Sequence, residues 1–382
     1  MIYLDNAATS FPKPPQVAEA ISDFLLNKAG NPGRSGHALA LAAGAVVADT
    51  RRSVAALFGI WDRDRLIFTL NGTDALNQAL HGLLRPGDRV ITTGMEHNAV
   101  ARPLFALAER GVEVVWLPGA ADGSLDLADL ERELKSAPTR LVVMTHASNV
   151  CGTILPIGAA AELAHAYGAL ILVDAAQTAG VLPIDVAELS IDLLAFPGHK
   201  GLLGPTGTGG LYIAPGVSLI PMRQGGTGSH SELPSQPVEL PDAFESGTVN
   251  TVGIAGLGAA VKVLQETGIE AVRTRESTLC GRLLAGLQEI DGVRIHGVLD
   301  PAARVAVVSV TLRGWEPIDA SAALDSAFGI AVRSGLHCAP LAHRTLGTFP
   351  LGTVRLAPGQ LTTEDEIDQT LAALRELVAS VR

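Results

Sequence analysis

The chain has 382 residues, of which 47% are hydrophobic and 18% charged, a composition typical of a globular protein rather than a disordered one. Its formal net charge of −11 argues against nucleic acid or an anionic membrane as the main partner, because either requires a basic face. Three cysteines without CxxC spacing argue against a disulfide framework or a metal site and favour the reducing cytoplasm, and no run approaches the roughly 20 apolar residues of a membrane helix.

Short β-rich runs alternate with helix-like stretches from about residue 65 to residue 215. The predicted strands are residues 65–69, 89–93, 112–117, 140–145, 169–173, 193–196 and 209–214, and helices are predicted at 75–84, 99–109 and 159–167. Because these strands are apolar without strict alternation, they predict an α/β fold with a mostly parallel, seven-stranded sheet covered on both faces. In such sheets ligands bind beyond the carboxyl ends of the strands.

The C-terminal third has a different pattern. Its predicted elements are strands at 305–312, 330–333 and 353–356 and an amphipathic helix at 364–381. Thr363 and Glu366 have the spacing of a capping box at the start of that helix. We therefore predict a large domain of residues 15–255 and a smaller α+β domain made of residues 1–14 and 256–382.

Polar or ionisable groups follow five of the predicted strands. They are Asn71 to Asp74, Glu96 to Asn98, His146 with Asn149, Asp174 to Gln177, and Gly198 to Lys200. Any one of these groups is expected of an ordinary loop, and a glycine turn before a helix is weak evidence of an anion site by itself. Five groups at one edge of a sheet are harder to explain in this way, so we predict a ligand site there.

Lys200 is the most distinctive of these residues. The chain has five lysines, and Lys200 alone follows a buried strand inside a Gly/Pro-rich loop. Such a position can lower the pKa of the amine and make it a nucleophile toward an aldehyde. A surface lysine would be the simpler interpretation without Asp174, which ends a strand one crossover earlier. A carboxylate there keeps a pyridine nitrogen protonated, whereas its ordinary alternative is a helix cap.

Several segments resemble a known family. Residues 172–177 together with 198–200 resemble the class V aminotransferase-like group of fold-type-I pyridoxal-phosphate enzymes. Further segments resemble its cysteine desulfurase and selenocysteine lyase branch, namely residues 3–8, 95–98, 148–153, 246–250, 333–338 and 354–356. The likeness runs in order over nearly the whole chain, and it implies pyridoxal 5′-phosphate as the cofactor.

The resemblance implies a role for each matching residue. Lys200 would hold the cofactor as a Schiff base and later move the α-proton of the substrate. The other implied cofactor contacts are His97 on the ring face, Asp174 at the ring nitrogen, Gln177 at the ring hydroxyl, Gly72, Thr73, Asp74 and His199 around the phosphate, and Thr248 from the other subunit of a homodimer. Asn149 and Arg355 would hold the substrate carboxylate, with Arg34 near the mouth of the site.

One position departs from the family pattern. Many relatives carry serine, threonine or another small residue where this chain has Pro197. Proline offers the phosphate neither a hydroxyl group nor a backbone N–H. The remaining contacts from Thr73, His199 and Thr248 would then have to hold the phosphate.

Cys338 distinguishes between possible reactions. It follows a predicted strand in a polar, glycine-containing loop, whereas Cys151 and Cys280 fit the buried positions that free cysteines usually occupy. The resemblance implies that its thiolate attacks the sulfur of L-cysteine, giving alanine and a persulfide that a sulfur-acceptor protein drains. Arg333 and His337 are the candidate cations that would favour the thiolate.

Three alternatives remain open. Selenocysteine lyase would use the same residues on L-selenocysteine, and a class V aminotransferase or β-lyase would leave Cys338 a bystander. A silent scaffold that binds cofactor and partner belongs to a different class of protein. The joint presence of Lys200, Asp174 and His97 argues against a scaffold, which needs none of them.

Overall fold

The computed structural model describes residues 1–33, 36–229 and 231–381. The strands of this part are β1 (Ile2–Tyr3), β2 (Leu66–Thr69), β3 (Arg89–Thr93), β4 (Glu113–Leu117), β5 (Leu141–Thr145), β6 (Leu170–Asp174), β7 (Leu193–Pro197), β8 (Gly209–Ile213), β9 (Val293–His296), β10 (Val308–Leu312), β11 (Ile330–Ala331), β12 (Arg333–Gly335) and β13 (Thr353–Leu356). The helices are α1 (Pro15–Asn27), α2 (Ala38–Leu57), α3 (Gly72–Leu83), α4 (Asn98–Ala108), α5 (Leu127–Ser136), α6 (Ile157–Ala166), α7 (Thr251–Thr267), α8 (Ile269–Gln288), α9 (Pro317–Phe328), α10 (Pro340–Thr345) and α11 (Glu364–Ala379). None of these helices combines the length and the apolar character that crossing a membrane requires.

A seven-stranded sheet in the order β2-β8-β7-β6-β5-β3-β4 forms the main layer. Strands β3 to β7 pair in parallel, whereas β8 runs antiparallel to both β2 and β7. Every residue of β3, β5, β7 and β8 is buried, as expected for strands covered on both faces. The predicted mostly parallel α/β sheet is confirmed, and each predicted strand of this sheet agrees with the observed one to within one residue at either end.

Alternate residues of the central strands pack into two different apolar layers. Val142 and Val173 pack in the layer that contains α2, α6 and α7, whereas Val143 and Leu172 pack in the layer that contains α3 and α4. Because β2 and β7 are both antiparallel to β8, β2 has the same direction as the parallel strands. The carboxyl ends of β2, β3, β5, β6 and β7 therefore lie along one edge of the sheet.

A second core forms around an antiparallel sheet in the order β12-β13-β10-β9, covered by α8, α9 and α11. Strand β1 pairs with β11 and brings the N-terminal segment to this part of the molecule. Helix α11 begins with the predicted capping box of Thr363 and Glu366.

The predicted boundary between residues 255 and 256 falls inside α7. Leu257 and Leu264 of that helix pack in the first core, and Leu279 of α8 packs in the second.

Candidate active site

The carboxyl ends of the parallel strands border a cavity of about 280 Å³. Its lining includes the predicted residues Lys200, Asp174, His97, Gln177, His199, Gly72, Thr73, Asn149, Arg333 and Arg355. Arg333 on β12 and Arg355 on β13 come from the four-stranded sheet, so both cores contribute to one cavity. Sequence positions as distant as Gly72 and Arg355 therefore meet in one place.

Lys200 and Asp174 supply opposite charges from neighbouring strands. Asp174 ends β6 and is 3% exposed, and Lys200 follows the adjacent strand β7. Burial lowers the pKa of Lys200 to about 8, although the charge of Asp174 acts in the opposite direction. Burial raises the pKa of Asp174, and the Ala176 N–H, which donates to its Oδ1 at 2.8 Å, opposes that shift. At neutral pH the neutral, nucleophilic fraction of this amine is therefore much larger than that of a surface lysine.

His97 is a neutral ring at the start of α4. Its Nδ1 accepts the Ala99 N–H at 3.0 Å, which places the ring proton on Nε2. Burial lowers the pKa of His97 to about 4, and the charge of Lys200 contributes to the same shift. A neutral aromatic ring at the cavity wall can stack on a flat ligand without adding charge.

The N-terminus of α3 forms the end of the cavity suited to an anion. Gly72 and Thr73 are the first residues of this helix, where backbone N–H groups lack helical partners. A Cβ atom at Gly72 would lie 3.3 Å from Cδ of Pro197, so a side chain there would crowd the end of β7. His199 adds a buried Nδ1 without a partner, and burial lowers the pKa of His199 to about 4. This orphaned nitrogen beside a helix N-terminus fits a phosphate group.

Asp74 does not line the cavity, in contrast to its predicted place around the phosphate. Its backbone N–H donates to Asn71 Oδ1 at 2.8 Å, and its Oδ2 accepts the Leu70 N–H at 3.0 Å. The same oxygen pairs with Arg223 Nη2 at 3.1 Å. Asp74 is therefore used inside the turn, and a carboxylate would in any case repel a phosphate.

Two further predicted residues lie elsewhere. Thr248 is exposed and lines a separate surface cavity of about 560 Å³ with Gly226 and Glu245, so within one chain it does not reach Lys200. Arg34 lies outside the described residues.

Arg355 is buried and already has partners on both terminal nitrogens. Nη2 donates to Asp5 Oδ1 at 2.7 Å, and Nη1 donates to the Asn149 carbonyl oxygen at 3.0 Å. Each terminal nitrogen carries a second N–H, so a carboxylate in the cavity would share the guanidinium group with Asp5. The sequence did not indicate Asp5 as a partner, because 350 residues separate it from Arg355.

Cys338 is exposed, unlike the buried Cys151 and Cys280. Arg333 Nη2 lies 3.6 Å from its Sγ, so a cation does lie beside this thiol. The prediction that His337 supplies a second cation is wrong. This ring is buried against Thr353 Oγ1 at 3.1 Å, and burial holds the pKa of His337 far below its ordinary value, so the ring is neutral.

The N-terminal segment fixes the backbone at Lys200, a role that sequence reasoning missed. Ser10 Oγ donates to the Lys200 carbonyl oxygen at 2.9 Å, and Lys13 Nζ donates to the His199 carbonyl oxygen at 2.8 Å. Thr9 Oγ1 donates to that same His199 oxygen at 3.0 Å. No local pattern could have predicted these contacts, since they join segments about 190 residues apart.

Glu96 forms a buried brace between the ends of β3 and β5. Its Oε1 accepts from Thr93 Oγ1 at 2.7 Å and from the Thr145 N–H at 3.0 Å. Burial raises the pKa of Glu96 to about 8, so the carboxyl group is protonated at neutral pH. The brace fixes the residue next to His97 and the strand that leads to Asn149.

We expect Glu96→Gln to preserve the fold, because an amide replaces a neutral acid of the same shape. In the folded protein Glu96 stays protonated up to about pH 8, whereas in the unfolded chain it ionises near its ordinary pKa. Its contribution to stability is therefore lost as the pH rises toward 8, and Glu96→Gln removes that loss. Glu96→Ala leaves the Thr145 N–H unpaired and should cost about 1–3 kcal/mol. The free energy of unfolding of both variants, measured at pH 5 and pH 8, checks this prediction. Equal losses of stability in Glu96→Gln and Glu96→Ala would contradict it.

The chain is similar to known proteins over almost its whole length. The aminotransferase class-V family model matches residues 2–370. A protein of Methanothermobacter thermautotrophicus named "probable cysteine desulfurase" is 35% identical, covering 98% of this chain and 94% of the relative. A cysteine desulfurase of Pectobacterium atrosepticum is 34% identical, covering 99% of this chain and 93% of the relative.

Solved structures give the same result. The apo cysteine desulfurase of Thermococcus onnurineus NA1 has a TM-score of 0.93 and 35% identity, with 99% of this chain and 95% of that one covered. The cysteine desulfurase CsdA of Escherichia coli has a TM-score of 0.88 and 30% identity, with 100% and 95% covered. The chain, with its lysine, aspartate and histidine around one cavity, therefore belongs to the aminotransferase class-V family.

Proposed function

We propose that this protein is a pyridoxal 5′-phosphate-dependent cysteine desulfurase, which converts L-cysteine to L-alanine and passes the sulfur to Cys338 as a persulfide. The observation that carries the proposal is an exposed thiol 3.6 Å from an arginine of the cavity that also holds Lys200 and Asp174. Burial lowers the pKa of both Lys200 and Arg355, and the charge of this arginine, Arg333, adds to both shifts. A bystander cysteine would need none of these neighbours.

The residues present fit this cofactor. Lys200 offers an amine of lowered pKa, Asp174 a buried carboxylate, and His199 an unpartnered buried nitrogen beside the α3 N-terminus. His97 would hold the ring face and Gln177 the ring hydroxyl. When bound, the cofactor supplies an electron-accepting ring that stabilises a carbanion at the substrate α-carbon. Asp174 would keep the ring nitrogen protonated.

The residues of the chain then divide the remaining work. Arg355 and Asn149 would orient the substrate carboxylate, and Lys200 would take the α-proton and return a proton to the product. The Cys338 thiolate attacks the substrate sulfur, so one S–S bond forms as the C–S bond breaks and its electron pair stays on carbon. One thiol and L-cysteine give one persulfide and L-alanine, and no external oxidant is needed.

The assay that tests the proposal compares L-cysteine with L-selenocysteine in the presence and absence of a thiol reductant. A desulfurase releases alanine and sulfide from L-cysteine, with sulfide release depending on the reductant. Turnover of L-selenocysteine alone would establish the selenocysteine lyase alternative. Pyruvate or an amino-group exchange product would instead favour a β-lyase or an aminotransferase.

The lowered pKa of Lys200 predicts the pH dependence of cofactor capture. The amine attacks an aldehyde only when neutral, and its pKa of about 8 means that the neutral fraction rises about tenfold per pH unit below pH 8 and levels off above it. We expect the rate at which the cofactor-free protein binds pyridoxal phosphate to follow this curve. Stopped-flow absorbance from pH 6 to pH 10 measures it, and a rate that still rises toward pH 10 would contradict a lowered pKa.

The wider setting of the enzyme is also part of the proposal. We infer a homodimer in which Thr248 completes the phosphate site of the partner, because Thr248 is exposed and lies outside the cavity of its own chain. Free cysteines favour a cytoplasmic location, and the exposed Cys338 would need a sulfur-acceptor protein. The division into domains at residues 1–14, 15–255 and 256–382 is retained as a proposal whose last boundary crosses α7.

A further inference from the structure

His337 and Cys338 form an unusual turn. Both residues adopt positive φ angles, 47° and 58°, and neither is glycine. Side chains with a Cβ atom disfavour this left-handed conformation, so two such residues in succession persist only where their surroundings hold them. The position of the Cys338 thiol therefore depends on the contacts that hold this turn.

The carbonyl oxygens of His337 and Cys338 each accept a hydrogen bond from another segment of the chain. The backbone N–H of Asn98, the first residue of α4, donates to the Cys338 oxygen at 2.8 Å. The side chain of Asn149 donates from Nδ2 to the His337 oxygen at 2.7 Å. The first bond uses an N–H that has no helical partner, and the second uses a buried side chain.

Asn149 also belongs to the carboxylate end of the cavity. Its backbone carbonyl oxygen accepts a hydrogen bond from Arg355 Nη1 at 3.0 Å, and its side chain lines the cavity. An amide NH₂ group has two hydrogens, and the bond to His337 uses one of them. The second hydrogen remains for a substrate carboxylate, so one side chain can hold the substrate and the sulfur-accepting turn together.

We propose that Asn149 is a positioning residue for Cys338, fixing the turn at His337 and Cys338 in register with the bound substrate carboxylate. The inference rests on the proposed function for its kinetic part, but the contact itself does not. Removing the amide should let the turn relax toward ordinary backbone angles. The thiol would then spend less time where it can meet the substrate sulfur, even when substrate is bound.

Hydrogen exchange of the cofactor-free protein tests the contact directly. The Ala339 N–H, which donates to the Leu336 oxygen at 2.8 Å, reports opening of the turn. We expect exchange in residues 336–339 to accelerate about tenfold in Asn149→Ala and in the isosteric Asn149→Asp, which has no amide donor. Gln177→Ala is the matched control, because it removes an amide-to-carbonyl bond in the same cavity, to Ala7 at 3.1 Å, without touching the turn. Unchanged exchange in both Asn149 variants, or equal acceleration in Gln177→Ala, overturns the proposal.

Steady-state kinetics on L-cysteine test the consequence. Arg355→Lys should mainly raise KM, because it weakens binding of the substrate carboxylate and retains the side-chain amide of Asn149. Asn149→Ala should raise KM and also lower kcat about tenfold. If exchange accelerates but kcat falls no more than in Arg355→Lys, the positioning role is overturned. If exchange accelerates and the wild-type protein releases no alanine from L-cysteine, the proposed desulfurase function fails and the structural contact stands.

Discussion

Replacing Lys200 by alanine should abolish turnover of L-cysteine, lowering kcat by a factor on the order of 10³ or more. The amine is the basic group of the cavity whose pKa is lowered to about 8, so it is the group that can both attach an aldehyde and exchange a proton at neutral pH. The variant should bind pyridoxal phosphate only noncovalently. Borohydride reduction followed by mass measurement of the intact chain distinguishes the two states, because it fixes the cofactor to the wild-type protein alone.

Lys13 offers a matched control for this experiment. Burial lowers the pKa of Lys13 to about 8 as well, but its Nζ is bound to Ser10 Oγ at 2.7 Å and to the His199 carbonyl, and it does not line the cavity. Lys13→Met should therefore keep the reducible cofactor linkage. Linkage retained in Lys200→Ala and lost in Lys13→Met would assign the wrong lysine, and linkage retained in both would remove lysine attachment from the proposal.

The sequence predicted the sheet of this protein well because the sheet is defined by local patterns. Strands β5 and β7 are short, mainly apolar runs without alternation, and the groups that follow them meet because parallel strands end at one edge. Lys200, Asp174 and His97 were therefore predictable as neighbours. The capping box at Thr363 and Glu366 is local in the same way.

The remaining features depend on contacts between distant segments or on the surroundings of a side chain. The pairing of Asp5 with Arg355 joins the two ends of the chain, and nothing in the residues around Asp5 indicates it. The sequence around His337 does not indicate that its ring is neutral, because the ring is buried against Thr353 only when β12 and β13 pair. The proposed domain boundary between residues 255 and 256 crosses α7. That helix is rich in small residues, and its packing against α1 and α2 cannot be read from its own composition.

Replacing Cys338 by serine should lower alanine and sulfide release from L-cysteine by about a hundredfold or more, while cofactor capture by Lys200 stays intact. Serine keeps the size of the side chain, but a hydroxyl group cannot accept sulfur as a persulfide. Arg333 would still lie beside residue 338, so its positive charge is preserved. Alanine formed in the first turnover after the enzyme is mixed with L-cysteine, measured by rapid quench, reports the sulfur-transfer step directly.

Cys280→Ala and Cys151→Ala separate this effect from a general loss of thiols. Both cysteines are buried, and the Cys151 Sγ lies 3.3 Å from Thr153 Oγ1. These variants should keep most of the activity, with any loss appearing as lower thermal stability. Full alanine release in Cys338→Ser would mean that Cys338 is not the sulfur acceptor, whereas release of pyruvate with sulfide would show that sulfur leaves by β-elimination. Loss of L-cysteine turnover with retained release of selenium from L-selenocysteine would show instead that the thiol is needed for sulfur alone, because selenium is the better leaving atom.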